Sequence, residues 1–470
     1  MAILPELMLL LAALAFFALS LGKDLQADQM SNAALFMSFI VLVCSLISRN
    51  QELTLFSACY QVDSFSQLFK IMISLGLFFV LVASQQLKGI EISVRPEYYM
   101  FLFLSSLGLM ALVSAVELIT LFVALELSSF ALYIMVAMRD DQTGTRMQME
   151  AGIKYLFFGV LATGCLLFGM SYMFGLTGTT YLQGIFSGLQ AAPQPAAFFS
   201  VIMVLAAFFF KLAIFPMHFW VPDVYAGAAN ETTTFAATLP KLGAVALLIR
   251  LIALVPAYSQ LLVHLLAVLA VCSMFYGNLL ALVQTDLKRM LGFSAIAHAG
   301  FVLLGLLTLD KNGYAAAIYY IAGYVFMNLA CYTVINTLSS QGENVVISDV
   351  DGLYKRDPLL AFLLAVGMFS LAGIPPMVGF MGEMFLLAGA LKADHLLLVV
   401  FAALNAGIAI YYYLRVVKAA FTGEGRVSPA LVMNPMTRIG SVLLVLLILF
   451  MGVFPATFLA FADAAVQAVL

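Results

Sequence analysis

The sequence predicts an all-α integral membrane protein of about fourteen transmembrane helices, arranged as two inverted five-helix repeats that each contain a broken helix. Three observations predict it: the composition, the spacing of the apolar runs, and a proline-centred pattern that occurs twice. The 470 residues are 64% apolar and only 10% charged, with a mean hydropathy of +1.08. A soluble domain of this length carries far more charge. The net charge of −3 is dispersed over short loops, with no basic run for nucleic acid and no acidic tail. The expected surroundings are the lipid bilayer and partners that meet the chain within it.

Apolar runs long enough to cross about 30 Å of hydrocarbon begin at Ile3, Met30, Phe65, Tyr98, Leu118, Ala151, Ala197, Thr232, Leu261, Met290, Ala315, Leu359, Leu396 and Ser441. The fourth and fifth are separated only around Glu117. The first run lacks a positive n-region and merges into the series, so a cleaved signal peptide is not expected. Orientation follows from loop charge, because cytoplasmic loops carry the excess of Lys and Arg. With an external N-terminus the cytoplasmic loops hold Lys23, Lys88, Arg95, Arg139, Arg146, Lys288, Arg289, Lys355, Arg356, Arg415, Lys418, Arg426 and Arg438, against Arg49, Arg250, Lys311 and Lys392 outside. Both termini are therefore expected on the outer side.

Two runs are overlong. Leu359 to Leu391 would reach about 50 Å as one helix, and it contains Pro375-Pro376 between Gly373 and Gly379. Ala197 to Tyr225 contains Pro216. The patterns Ile214-Phe215-Pro216-Met217 and Ile374-Pro375-Pro376-Met377 lie five spans apart. A tandem unit with an odd number of spans inserts in opposite orientations, so spans four to eight and nine to thirteen form an inverted pair with one interrupted helix each, the best sequence pointer to a transport site. The expected organisation is residues 1–96 (spans 1–3), 97–254 (first repeat), 255–421 (second repeat) and 422–470 (span 14).

Ionisable residues inside these spans point to an ion path. Lys211 and Lys241 lie in separate apolar runs next to Pro216 and Pro240. A mid-membrane lysine costs about 2.5–3.5 kcal/mol on insertion scales and usually marks a pathway. Proline frees a backbone carbonyl, which at that depth must face protein or water. With Glu126 on the fifth span, Lys154 on the sixth, His298 on the tenth and Glu383 on the twelfth, six titratable groups form a chain. Glu126 is placed to bias Lys211, Lys241 to receive the proton next, His298 to relay through either ring nitrogen and Glu383 to pass it out. The alternative is static pairing that only locks helices together. Lys154, about a turn inside the cytoplasmic end, also fits a snorkelling residue.

Glu117 and the Asp286-Lys288-Arg289 cluster read as topology determinants at span ends. Trp220 reads as an interfacial anchor with Pro222 and Asp223, and His264 and His395 as interfacial residues. His218, just past Pro216, fits either a relay or a packing role. The five cysteines stand far apart with no CxxC pair, and no glycine-rich nucleotide motif occurs. No cofactor is expected in this chain.

Three long motifs carry a resemblance: FKLAIFPMHFWVPDVYAGA (Phe210 to Ala228), NLLALVQTDLKRMLGFSAIAHAGFVLLG (Asn278 to Gly305) and GLYKRDPLLAFLLAVGMFSLAGIPPMVGFMGE (Gly352 to Glu383). They resemble the antiporter-like membrane subunits of respiratory complex I, and Pro222-Asp223-Val224-Tyr225 is similar to the N-type. The resemblance implies the antiporter-like fold and membrane-arm partners, both other antiporter-like subunits and small hydrophobic ones. It also implies FMN, iron–sulfur clusters and quinone in partner subunits, and a bacterial cytoplasmic (inner) membrane. It maps the family's fifth-helix glutamate onto Glu126, its sixth-helix lysine onto Lys154, its broken-helix lysine onto Lys211 and its central lysine onto Lys241. Two positions depart from the N-type pattern. Glu383 stands where lysine is usual, and Ala228 to Thr234, AANETTT, replaces a proline-containing segment. The implied function is proton translocation in an NADH-quinone oxidoreductase. A subunit of a multi-subunit cation/proton antiporter and a membrane-arm scaffold without its own ion path stand as alternatives.

Overall fold

The computed structural model describes residues 1–22, 26–140, 146–253, 260–423, 431 and 433–469. Lys23 and Arg426, counted above as loop charges, lie outside them. The helices in chain order are α1 (Leu4–Ser20), α2 (Ala27–Ser48), α3 (Ser64–Ala83), α4 (Arg95–Ser114), α5 (Leu118–Ala137), α6 (Met147–Thr177), α7 (Leu182–Ala191), α8 (Gln194–Leu212), α9 (Trp220–Gly227) and α10 (Asn230–Ala236). They continue as α11 (Leu239–Ala253), α12 (Gln260–Ala281), α13 (Leu287–Leu306), α14 (Lys311–Leu338), α15 (Leu353–Arg356), α16 (Pro358–Leu371), α17 (Val378–Lys392), α18 (Leu396–Thr422), α19 (Pro435–Val453) and α20 (Pro455–Gln467). An antiparallel hairpin of β1 (Leu53–Leu55) and β2 (Tyr60–Val62) joins α2 to α3, with Leu53 opposite Val62.

Among the described residues twelve helices are long and apolar enough to cross a membrane, and Leu4–Ser20 and Pro358–Leu371 are shorter apolar helices. Most expected runs start within a few residues of one of them; the overlong runs from Ala197 and Leu359 end early, at Leu212 and Leu371, and the run expected from Ser441 starts at Pro435. The C-terminal run is divided at Phe454-Pro455, and α7 is an additional short helix between the sixth and seventh runs. Acidic and amide caps satisfy the free N–H groups that every helix start exposes. Asp63 accepts from Ser66 N (2.7 Å), Glu117 from Thr120 N (2.7 Å), Asp286 from Arg289 N (2.9 Å) and Asp310 from Gly313 N (2.7 Å).

Burial sorts the helices. The most apolar stretches of α10–α11 and of α14 are entirely buried, whereas only a third of those in α6, α12 and α18 is buried. Ile153, Phe157, Val160 and Phe168 of α6 are exposed, as a lipid- or partner-facing helix requires. Glycines let neighbouring backbones meet at two places. A methyl on Gly108 of α4 would come 2.5 Å from Ser128 N of α5, and one on Gly277 of α12 would come 2.6 Å from Ala297 N of α13.

Both overlong runs are broken, in the same way. At the first break Ala213 takes a left-handed conformation (φ +69°), Ile214 N–H donates to Phe209 O (2.8 Å) and Met217 N–H to Ile214 O (2.7 Å). At the second Gly373 has φ +65°, Ile374 N–H donates to Phe369 O (3.0 Å) and Met377 N–H to Ile374 O (3.2 Å). The Phe215-Pro216 and Pro375-Pro376 bonds are both cis.

Arg250 corrects the loop-charge reading. It lies within α11, 5% exposed, rather than in an outer loop. Its guanidinium Nη2 donates to both oxygens of Asp63 (2.9 and 2.8 Å) and its Nε to Val113 O (3.2 Å). Close by, Glu6 of α1 accepts from Tyr60 Oη (2.5 Å) and pairs with the fully buried Lys70 of α3 (2.6 Å). These two pairs fasten α1, α3 and the hairpin to α4 and α11.

Candidate functional site

Lys211 occupies the last turn of α8, just before the first break, and is buried. Its ammonium donates to Ser129 Oγ (2.8 Å) and is 3.5 Å from Ser128 Oγ, both on α5. Glu126 is half-buried one turn earlier on that helix and accepts from Thr163 Oγ1 of α6 (2.6 Å). No ion pair joins Glu126 to Lys211 among the described residues. Residues three apart on a helix share a face, so Glu126 and Ser129, the hydroxyl that receives the Lys211 ammonium, lie on the same side of α5.

Lys241 lies in the first turn of α11, 2% exposed, with no hydrogen-bond partner for its ammonium. Its ammonium lies over the face of the Tyr324 ring, 5.1 Å from Nζ to the centroid. A ring face attracts a cation electrostatically but leaves all three ammonium protons unmatched. Tyr324 also touches His298, edge to face at 5.3 Å. The His298 Nδ1 is 2.5 Å from Tyr320 Oη, and its Nε2 is 2.9 Å from Tyr413 Oη. Tyr413 Oη is in turn 2.5 Å from Ser294 Oγ. A neutral imidazole donates from one nitrogen and accepts at the other, and each phenol does both, so this cluster can reverse its hydrogen bonds without moving heavy atoms.

Glu383 of α17 is 8% exposed and lies against the second break. A methyl on Gly373 would come 2.5 Å from its Oε2. The adjacent Gly382 lets the Tyr320 ring pack on α17, since a methyl there would be 2.7 Å from Tyr320 Cδ2. Lys241, Tyr324, His298, Tyr320 and the neighbourhood of Glu383 thus follow one another through the buried centre. Lys154 stands apart. It is about a third exposed and pairs with Glu150 and with Asp223 (2.6 Å each), and Asp223 also accepts from Arg289 Nη1 (3.0 Å).

Two assignments from the sequence change. Trp220 is not at an interface: it is 2% exposed, stacks on Tyr155 (4.6 Å) and donates from Nε1 to Phe210 O (3.0 Å). At the break that carbonyl accepts from Ala213 N–H (3.1 Å) in place of the usual residue four along, and the indole adds a second donor. Lys288 is fully buried rather than a loop charge, and its Nζ donates to Ala228 O (2.8 Å). Arg139 Nη1 donates to Ala226 O (3.0 Å) and Gly227 O (3.2 Å). Together they cap the C-terminus of α9, where cations are favoured by the helix dipole. His218 is buried against Phe219 (4.3 Å) and Tyr276 (4.2 Å), with neither ring nitrogen hydrogen-bonded.

Sequence reasoning missed Ser129, Tyr320, Tyr324 and Tyr413. The signal for the first was the Ser128-Ser129 pair two and three residues after Glu126; for Tyr320 and Tyr324 it was their spacing of four in a segment mostly of small and apolar residues.

A helical membrane protein with buried lysines beside interrupted helices and a hydroxyl-rich interior defines the class of antiporter-like membrane subunits. The family model described as NADH:quinone oxidoreductase/Mrp antiporter, transmembrane, matches residues 115–409. NADH-quinone oxidoreductase subunit N 2 of Opitutus terrae is 50% identical over 456 residues, covering 96% of this chain and 95% of that protein. The subunit of the same name from Syntrophobacter fumaroxidans is 40% identical over 472 residues, covering 100% and 99%. A chain of respiratory complex I from Thermus thermophilus with bound aureothin superposes with a TM-score of 0.83 at 29% identity, covering 97% of this chain and 98% of that one. The Mrp complex of Dietzia shares the fold, with a TM-score of 0.85 at 19% identity over 100% and 98% of the two chains. The chain belongs to the NADH:quinone oxidoreductase/Mrp antiporter membrane family, as an N-type antiporter-like subunit.

Proposed function

We propose that this chain translocates protons across the bacterial cytoplasmic membrane as subunit N of an NADH-quinone oxidoreductase, with Glu126, Lys211, Lys241, His298 and Glu383 as the relay and Lys154 as a peripheral contributor. Electron transfer through FMN, iron–sulfur clusters and quinone in partner subunits supplies the drive. The observation that carries this reading is Lys241, a buried lysine without a hydrogen-bond partner at one end of the Tyr324–His298–Tyr320 row. A lysine fixed in a packing role would be paired, as Lys70 is with Glu6, because an unpaired buried ammonium is costly. A lysine that alternately takes and gives a proton needs room and mobile partners.

The fourteen-span count, the two inverted repeats at 97–254 and 255–421 flanked by 1–96 and 422–470, and external termini belong to the same reading. The matched breaks and the matched Gly108 and Gly277 contacts support the repeats. The test is proton pumping per electron in the assembled complex reconstituted into liposomes, with Lys211→Ala and Lys241→Ala. Normal assembly and electron transfer with lost or reduced pumping is expected. Normal pumping by both variants would leave the scaffold reading in its place.

A further inference from the structure

Beside the row above lies a second polar assembly that the relay does not use. The loop after α3, the start of α10, the end of α14 and the start of α19 enclose a cavity of about 30 Å³, lined by Ser84, Gln85, Lys88, Glu231 and Asn336 among others. By the space one molecule needs, that is room for about two waters. Four polar atoms of its lining are buried without a hydrogen-bond partner: Ser84 Oγ, Gln85 Oε1, Glu231 Oε2 and Asn336 Oδ1. Three of these are acceptors, so they fit water or a hydrated proton.

Glu231 is 3% exposed. Its Oε1 accepts from Gly89 N–H (3.1 Å), and no ion pair to it occurs among the described residues. The nearby cations are engaged elsewhere. Lys88 Nζ donates to Ser339 O (2.7 Å) and Asn336 O (3.4 Å) at the end of α14, and Lys288 Nζ donates to Ala228 O (2.8 Å). A buried carboxylate with a free oxygen facing a water-sized space is not explained by packing.

The segment that carries it leads through a turn at Ala237-Thr238 into α11 and Lys241. Glu231 and Thr234 stand three residues apart on one face of α10, about 5–6 Å between Cβ atoms; Thr238 follows in the turn, and Lys241 N–H donates to Thr238 O (3.2 Å) at the start of α11. Thr234 Oγ1 accepts from Asn336 Nδ2 (3.1 Å), which joins this face to the cavity wall. The two hydroxyls give their own protons to Asn230 O (2.8 Å) and Thr234 O (2.6 Å), leaving lone pairs to receive one.

We infer that Glu231 is the loading group of a hydrated mouth at the Lys88 end of the chain, passing protons along Thr234 and Thr238 to Lys241. The carboxylate takes a proton from the water of the cavity and releases it to neutral Lys241, which becomes the ammonium while the carboxylate is restored. This inference rests on the relay role of Lys241.

The test uses the reconstituted complex, with assembly, quinone-linked electron transfer and protons pumped per electron measured separately. Glu231→Gln is expected to assemble and to lower pumping several-fold; Glu231→Asp, which keeps the acid, retains most of it, and Thr238→Val lowers it. Membrane-impermeant maleimide is expected to label Ser84→Cys from the Lys88 face only. Normal pumping by Glu231→Gln and Thr238→Val while Lys241→Ala is defective overturns the loading role and leaves the relay standing; normal pumping by Lys241→Ala overturns both. Equal loss in Glu231→Gln and Glu231→Asp makes the residue structural. If Glu231→Gln fails to assemble, Thr238→Val and the labelling decide: normal pumping or unlabelled Ser84→Cys refutes the mouth.

Discussion

Removing the Arg250 guanidinium, as in Arg250→Met, strands Asp63 in a site where its side chain is 7% exposed. Both Asp63 oxygens lose the arginine, Val113 O loses the Nε–H (3.2 Å), and only Ser66 N–H (2.7 Å) remains on the carboxylate. The Phe65 face, 4.8 Å from the guanidinium, loses its cation as well. Breaking a buried pair from one side costs about 3–5 kcal/mol, chiefly through the charge left behind. Adding Asp63→Asn removes that charge and keeps an N-cap of equal quality for α3. The double variant should therefore be more stable than Arg250→Met alone, with a coupling of about 2 kcal/mol or more, within the range for contacting residues. Pulse proteolysis of this subunit in the purified complex along a denaturant series measures it. Additive single and double variants would refute the pair as a buried, charge-dominated clamp.

Lys154→Met should cost no more than about 1 kcal/mol, as for a surface pair, and should reduce pumping less than Lys211→Met does in the same liposomes; an equal or greater loss would return Lys154 to the centre of the relay. Gly373→Ala separates backbone from site: Ala213 already holds φ +69° at the matching break, so the left-handed backbone costs only about 1–2 kcal/mol. The new methyl meets the Glu383 carboxylate, and pumping should fall while assembly persists. In the exposed loop after α14, burial raises the proton affinity of Glu343, but hydrogen bonds from Ser340 and Gln341 N–H (2.7 Å each) outweigh it and hold its carboxyl below the ordinary range. Its contribution is then present above the unfolded carboxylate value of about 4.3 and is lost as pH falls through the lowered folded value. Amide exchange at Ser340 and Gln341 should rise over that acidic window, and Glu343→Gln should abolish the transition.

The spans, their order and both interruptions were legible because a bilayer imposes a length on apolar runs and proline imposes a stop on helices. The lysines were legible for the same reason: charge is rare in this sequence and conspicuous. What escaped was pairing. Nothing in a linear sequence relates Glu6 to Lys70 or Asp63 to Arg250, and a charge-counting rule assigned Arg250 to a loop because it lies near a run's end. Trp220 went wrong through a preference that holds at lipid interfaces and fails where a broken helix offers a carbonyl. The hydroxyls around His298 were hidden among 19 tyrosines, whose roles depend on which face of α14 or α18 they occupy. Glu231 was not singled out in the sequence, where only the Ala228 to Thr234 segment drew notice; the cavity gives that residue a chemistry.

The bond between Glu6 and Lys70 has a consequence for biogenesis. Each residue enters the membrane on a different helix, Glu6 in the first turn of α1 and Lys70 in the second turn of α3, so each alone carries a part of the mid-helix insertion cost; paired at 2.6 Å, they neutralise each other. Synthesis delivers the acid first, so Glu6 has no basic partner of this pair until α3 emerges. Lengthening the hairpin connection would prolong that wait, and the newborn chain would then be exposed to quality-control proteases before its first three helices close.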